Sequence, residues 1–327
     1  METMNPTRLS CSPDMLASGY VIAMDATGLL SLEGEDAVRF IHGQLSNDIE
    51  HLDGKSARLA AYCTPQGRML ARFCVWKSAG KVWMTLPADI LEALKKRLQI
   101  YILRAKVVLS DERGNVRLAG IGGKRAATAL SRWFPDLPGV MYGKTENENG
   151  VLVRMADAFG APRYLLAVSA SRYQAMYDAL ASELPVCGAD GWTLGDIEAG
   201  VPDITLAVQD RFVPQMVNLE EAGGLSFTKG CYPGQEVIAR SQYRGAVKRK
   251  LFHGYVASSG DAFIPAGADL FDKDGNPCGV VLQSARRDDG RTDFLAVMNL
   301  DTQENGIAVH ALSADGPVVS WIGMSAV

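Results

Sequence analysis

From about residue 247 to the end the chain shows no helical period. Six strand-length runs fill this stretch instead: KLFHGYV, GADLFDK, GVVLQSA, DFLAVMN, IAVHAL and VVSWIG, broken by Gly, Pro and Asp turns. Strands this short leave unpaired edges in an open sheet, so the pattern predicts a small antiparallel β-barrel over 246–327, which closes to remove them. Upstream the grammar changes. GLLSLE at 28–33 reads as a strand, and EDAVRFIHGQL places Ala37, Val38, Ile41 and Leu45 on one helical face. A meander follows in RLAAYC, RMLARFCVW and KVWMTL, with turns at Thr64-Pro65-Gln66-Gly67 and Ser78-Ala79-Gly80. Met69, Ala71, Phe73 and Val75 share one face of its middle strand, and Ile90, Leu91, Leu94 and Leu98 mark a helix over about 88–99.

The same strand-pair-then-helix order recurs between about 105 and 184, without matching letters. It predicts an α+β fold and not a doubly wound parallel sheet. The expected organisation is a tail over 1–19, a region over 20–245 made of two α+β subdomains divided near 112–150, and the barrel. Between 199 and 235 regular patterning fades in a stretch of ordinary complexity, which marks a functional segment.

Composition excludes several classes. With 327 residues, 47% hydrophobic and 21% charged, the chain can bury a large core without staples. A net charge of −4 gives no global basic field, so contact with RNA is local or through a partner. Cys11, Cys63, Cys74, Cys187, Cys231 and Cys278 are scattered, without a CxxC pair or Cys/His cluster, and read as reduced thiols of a cytosolic chain. The first twenty residues lack the apolar core of a signal peptide, and no apolar run reaches membrane-spanning length. Together these place the protein in the cytoplasm with no membrane partner.

Several residues admit plain structural roles. Cys231 can be an inert buried thiol, Glu198 a helix-surface carboxylate and Trp192 a core aromatic. Arg240, Arg244, Lys248, Arg249 and Lys250 can form a solvated basic face, or meet a glutamyl tail or a phosphate. His42, His51, His253 and His310 are isolated, so no metal site is expected, and Gly120-Ile121-Gly122-Gly123-Lys124 lacks phosphate-loop spacing and reads as a turn before a helix.

The run KGCYPGQEVIAR at 229–240, continued by SQYRGAVKRKL, tips the balance. Its Lys229, Gly230, Cys231, Tyr232, Gly234, Gln235, Glu236, Ala239, Arg240, Arg244 and Gly245 fall on a pattern that resembles the YgfZ family signature. Gly34, Asp36, Phe40, Gly43 and Gln44, the turn in AAYCTPQGR, and GWTLGDIEAGVP followed by FVPQMVNLEEAGGLSF agree with it in order and spacing. The resemblance implies the fold of the glycine-cleavage T-protein, with tetrahydrofolate or a one-carbon derivative in a central opening between three domains. It implies Glu198 as the carboxylate that takes the pterin's amino-pyrimidine edge, Trp192 as a stacking wall, and Gln215, Asn218 and Arg240 as further cofactor contacts. Thr27 stands where some members carry an aromatic residue. The resemblance also implies an accessory role toward iron-sulfur enzymes, including radical enzymes that thiomethylate tRNA.

Laid on the T-protein's acidic segment, PQGRMLARF puts Ala71 and Arg72 where the catalytic Asp pair stands, so true aminomethyl transfer is not expected. A folate-dependent one-carbon transferase or demethylase is the competing reading, and a structural binder with a vestigial pocket the third. Inside KGCYPGQE, Cys231 is expected to be the functional thiol. Lys229 is a neighbouring cation, Gly230 and Gly234 permit a tight backbone, and a helix starting near Gln235 adds a positive dipole end.

Overall fold

The computed structural model describes residues 11–244, 248–257 and 263–323. Helix α1 (Pro13–Ser18) opens on Pro13, with the Ser12 hydroxyl accepting from Met15 N at 3.1 Å. Cys11 and Leu16 are buried beside it, so the expected N-terminal tail is in part a packed element. Then come β1 (Tyr20–Ala23), β2 (Thr27–Glu33), α2 (Ala37–His42), β3 (Ala57–Cys63), β4 (Met69–Ser78), β5 (Lys81–Pro87), α3 (Ala88–Ile102) and β6 (Val108–Asp111). They are followed by β7 (Val116–Gly122), α4 (Ala126–Leu130), β8 (Lys144–Asn147), β9 (Gly150–Ala158), β10 (Ala161–Ser169), α5 (Ala170–Ala181) and α6 (Ala189–Glu198).

These elements make two five-stranded antiparallel sheets, ordered β3-β4-β5-β2-β6 and β1-β7-β10-β9-β8. Because β1 pairs with β7 and not with β2, the chain crosses between sheets at 24–26. The two α+β units are therefore interleaved, and no single cut near 112–150 separates them. In β4 the alternation holds from Ala71 onward. Ala71, Phe73 and Val75 are buried with Ile90, Leu91, Leu94 and Leu98 of α3, whereas Met69, expected on the same face, lies past a register shift in the pairing with β3 and packs with Cys63, Phe212 and Ile238 instead. Cys74 and Trp76, on the other face, join Met24 of the crossing and Leu118, Val153, Met155 and Leu165 of the second sheet. Apolar residues on both faces of one strand require cover on both faces. The result is helix, sheet, sheet, helix, with α4 and α5 outermost on the second side.

The segment 199–234 carries only two short 3₁₀ turns before α7 (Gln235–Arg244). The last unit is a six-stranded antiparallel sheet formed by β11 (Arg249–Val256), β12 (Asp269–Asp272), β13 (Pro277–Arg286), β14 (Thr292–Asn299), β15 (Val309–Ala311) and β16 (Ser320–Ile322). A short helix, α8 (Leu300–Glu304), interrupts it where the sequence reads none. The sheet curls into a half-barrel. Its outer strands approach through the C-terminal segment, where Ala311 N donates to Pro317 O at 2.9 Å and Val319 N to Val309 O at 2.8 Å. Leu282, Ala285, Leu295 and Val297, on the face turned away from the half-barrel's own core of Val281, Phe294, Ala296 and Met298, pack with Leu194 and Ile197, so α6 sits between the barrel and the paired sheets. No helix among the described residues is long and apolar enough to cross a membrane.

Candidate functional site

Where α6, both sheets and the barrel meet, a cavity of about 320 Å³ opens. Its walls are mainly apolar, with Ile22, Met24, Leu86, Met155, Leu165 and Trp192 among them. Trp192 is held flat by what it touches. A Cβ on Gly120 would come within 2.4 Å of its ring, so β7 must carry glycine there, and the Arg163 guanidinium lies 4.8 Å from the ring centroid. Gly120 and Gly122, read from sequence as part of a turn, thus belong to a strand that gives up side chains to make room for Trp192 and Tyr20. Thr27 lines the same cavity.

The polar side of the cavity is built from two ion pairs that sequence reading missed. Arg163, 1% exposed at its side chain, donates from Nη2 to Asp196 Oδ1 at 2.8 Å and from Nε to Ala156 O at 2.9 Å. Gly195 makes this possible, since a Cβ there would stand 2.4 Å from Arg163 Nη1. Arg72, on the cavity face of β4, donates from Nε to Pro202 O at 2.9 Å, and its Nη2 lies 3.1 Å from Asp203 Oδ1. A single charge inside an apolar strand, as in APRYLLAVS, was the available signal, because buried charges survive only when paired.

Glu198 lies elsewhere. Six residues after Trp192 on the same helix, it is rotated by roughly 600°, which leaves about 120° between the two side chains. It lines a second hollow of about 460 Å³ with Met141, Arg154, Asp157, Phe159 and Gly160. Arg154 is engaged by Asp157 at 2.7 Å. The Glu198 carboxylate has no hydrogen bond or ion pair to another described residue, and it sits in the last turn of α6, where the helix dipole gives an anion no help. The two hollows share α6 and β9 as walls.

The KGCYPGQE segment forms a loop running into α7, which begins at Gln235. Cys231 is an exposed free thiol. Lys229 does not act simply as a cation beside it. The ammonium is buried and donates to the carbonyls of His42 and Leu45, the latter at 2.6 Å, so it clamps the end of α2. Burial pushes Lys229 down to about 8. His42, isolated in the sequence, turns its imidazole to this loop: a Cβ on Gly230 would come 4.0 Å from Nε2. Its Nδ1 accepts from Glu50 N at 3.1 Å. Burial and the nearby Lys229 charge hold His42 below the usual histidine range.

Of the other expected contacts, Gln215 is buried and donates from Nε2 to Ile238 O at 2.7 Å, tying its segment to α7. Asn218 adopts a left-handed backbone with φ 53°. Gln215 Oε1 and Asn218 Oδ1 are both buried acceptors without a partner, and neither residue lines either hollow. Arg240 lies on the exposed side of α7, paired with Glu236 at 2.6 Å, and lines neither hollow. Tyr232 is buried under the Lys229 ammonium, 4.9 Å from its ring centroid. Gly245 and the side chain of Arg244 lie outside the described residues.

One reading is corrected outright. Cys11 and Cys187, 176 residues apart, meet as a disulfide with Cα atoms 5.8 Å apart, so not all six cysteines stand as separate thiols. The bridge ties the residue before the Ser12 cap of α1 to the residue before the Gly188 cap of α6. Among the described residues no group of three His, Cys, Asp or Glu side chains is placed to hold a metal ion.

No family model matches the chain. It is 31% identical over 307 residues to the tRNA-modifying protein YgfZ of Yersinia pseudotuberculosis serotype O:1b (strain IP 31758), over 92% of each chain. The tRNA-modifying protein YgfZ of Yersinia pestis (strain Pestoides F) is similar at the same identity and coverage. Among solved structures it is similar to the glycine cleavage system aminomethyltransferase T from Bartonella henselae, with a TM-score of 0.71 over 96% of this chain and 87% of that one at 17% identity. That is a likeness of fold.

Proposed function

Since the chain belongs to the YgfZ family, we propose that it is a cytoplasmic, tetrahydrofolate-binding accessory protein that supports iron-sulfur enzymes, among them those that thiomethylate tRNA. Glu198 carries this reading. It is a carboxylate without a partner among the described residues, at a helix end where the dipole gives an anion no help, opening on a hollow beside the Trp192-walled cavity. A carboxylate takes two parallel N–H donors from an amino-pyrimidine edge with charge-assisted strength, and an indole face packs on flat rings. Tetrahydrofolate, when bound, supplies a carrier for a one-carbon unit, and Cys231 supplies the exposed thiol that would meet a client. Contact with tRNA then runs through the client enzyme.

Calorimetric titration with tetrahydrofolate tests the assignment. Glu198→Gln is expected to cost about 1.5–3 kcal/mol of binding, the range for hydrogen bonds to a charged group. Unchanged affinity in that variant sinks it.

The competing reading, one-carbon transfer, draws on the two carboxylates that do line the cavity. Both are already engaged, Asp196 by Arg163 and Asp203 by Arg72, so neither is a free proton acceptor. Release of ammonia from an aminomethyl-lipoyl substrate at rates typical of a T-protein would favour transfer instead.

A further inference from the structure

A guanidinium carries five N–H donors. In Arg72, Nε donates to Pro202 O and Nη2 is ion-paired with Asp203 Oδ1, while Nη1 makes no hydrogen bond to a described residue. The side chain is 8% exposed and lines the central cavity. Nη1 is therefore open to whatever occupies that cavity, water or ligand, and a ligand that covers it without offering an acceptor loses a charge-assisted hydrogen bond.

Arg72 is also fixed in place. Its anchor Asp203 accepts at Oδ1 from Ile204 N at 3.0 Å and donates from its own backbone N to Gln283 Oε1 at 2.5 Å. Gln283, on β13, in turn donates to Val201 O at 3.2 Å. The first sheet, the segment 201–204 and the barrel thus converge on one guanidinium, set among apolar walls. Because Asp203 already balances its charge, the open N–H groups suit a neutral carbonyl oxygen as well as an anion.

We propose that Arg72 makes the central cavity selective for the oxidation level of the bound one-carbon unit, favouring a reduced folate with a carbonyl oxygen on that unit, as in a formyl group, over one with a methyl group. The inference rests on the folate reading above. A formyl oxygen accepts from Nη1 in a charge-assisted hydrogen bond, whereas a methyl group seals the guanidinium from water and leaves it unpaired. Sites built to hydrogen-bond reject ligands that lack the partner strongly. The pterin carbonyl and the benzoyl amide are common to all folates, so only the substituent at the one-carbon position separates members of the panel.

The test is calorimetry of the full chain with tetrahydrofolate, 5-methyl-tetrahydrofolate and 5-formyl-tetrahydrofolate. The native protein is expected to bind the formyl form about ten- to a hundred-fold more tightly than the methyl form. In Arg72→Met the ratio is expected to fall to within about twofold, the residual expected once the charged donor is gone. Arg72→Met strands the Asp203 carboxylate, so the double variant Arg72→Met/Asp203→Asn, which removes both charges, repeats the measurement on a chain checked by circular dichroism. Equal affinity of the native protein for the formyl and methyl forms overturns the inference and leaves folate binding intact. So does an equal loss of all three ligands in the variants. Failure of the native protein to bind any of the three overturns the folate reading itself.

Discussion

Gly234 and Gly67 lie back to back: a Cβ on Gly234 would stand 2.7 Å from Gly67 Cα and 2.5 Å from Thr64 O, and both residues have left-handed backbones, φ 81° and 76°. The obstructing atoms are backbone and cannot rotate away. The turn of AAYCTPQGR and the loop of KGCYPGQE, far apart in sequence, are therefore two halves of one contact that presents Cys231. Gly234→Ala is expected to lower stability by about 1–3 kcal/mol, the cost of a strained left-handed residue. Urea denaturation reads it directly, and an unshifted midpoint would show that the contact tolerates a side chain.

Cys231 should be the thiol that reacts first. Burial pushes Cys63 and Cys74 up to about 12 and Cys278 to about 11, which leaves almost no thiolate at neutral pH. Iodoacetamide followed by peptide mass mapping should mark Cys231 well before those three. Cys231→Ser should fold, bind tetrahydrofolate and fail to restore iron-sulfur enzyme activity in cells lacking the gene. Full complementation by the serine variant would make the thiol dispensable.

The Cys11–Cys187 bridge predicts four titratable thiols in the denatured, unreduced chain and six after reduction. Breaking it should lower stability by about 2–4 kcal/mol, the usual range for a disulfide. Finding six thiols before reduction would show the two cysteines to be merely close.

Asp293, fully buried in the barrel, accepts at Oδ1 from Arg287 Nη2 at 2.9 Å and Arg291 Nη2 at 2.7 Å, with His253 Nε2 at 3.1 Å. Burial alone would raise its pKa, but these hydrogen bonds and the two arginine charges outweigh it and hold the carboxyl below its usual range. A carboxyl depressed in the folded state adds stability that is present above its unfolded pKa, about 3.9, and lost as pH falls through the folded value. Asp293→Asn should therefore be clearly less stable than the native chain at pH 7, with the gap narrowing below about pH 4. A gap that stays constant down to pH 2 would mean that packing, and not charge, is what the substitution removes.

The local features of this protein were written in its sequence. Alternation in β4 and the period of α3 come from side chains a few residues apart, so Ala71, Phe73, Leu91 and Leu94 are legible as core from the sequence alone. The barrel strands, the start of α7 at Gln235 and the KGCYPGQE motif around Cys231 were likewise local, as was the absence of a carboxylate at Ala71 and Arg72. What depended on tertiary structure were relations between distant residues and between faces of one element. Rotation along α6 puts Trp192 and Glu198 in different hollows, and pairing of β1 with β7 interleaves the two sheet units. Arg163 finds Asp196 and Arg72 finds Asp203 only when chain packing excludes water from them, because a buried charge is tolerable only beside its counter-charge. Residue order alone does not specify which partner the fold will bring.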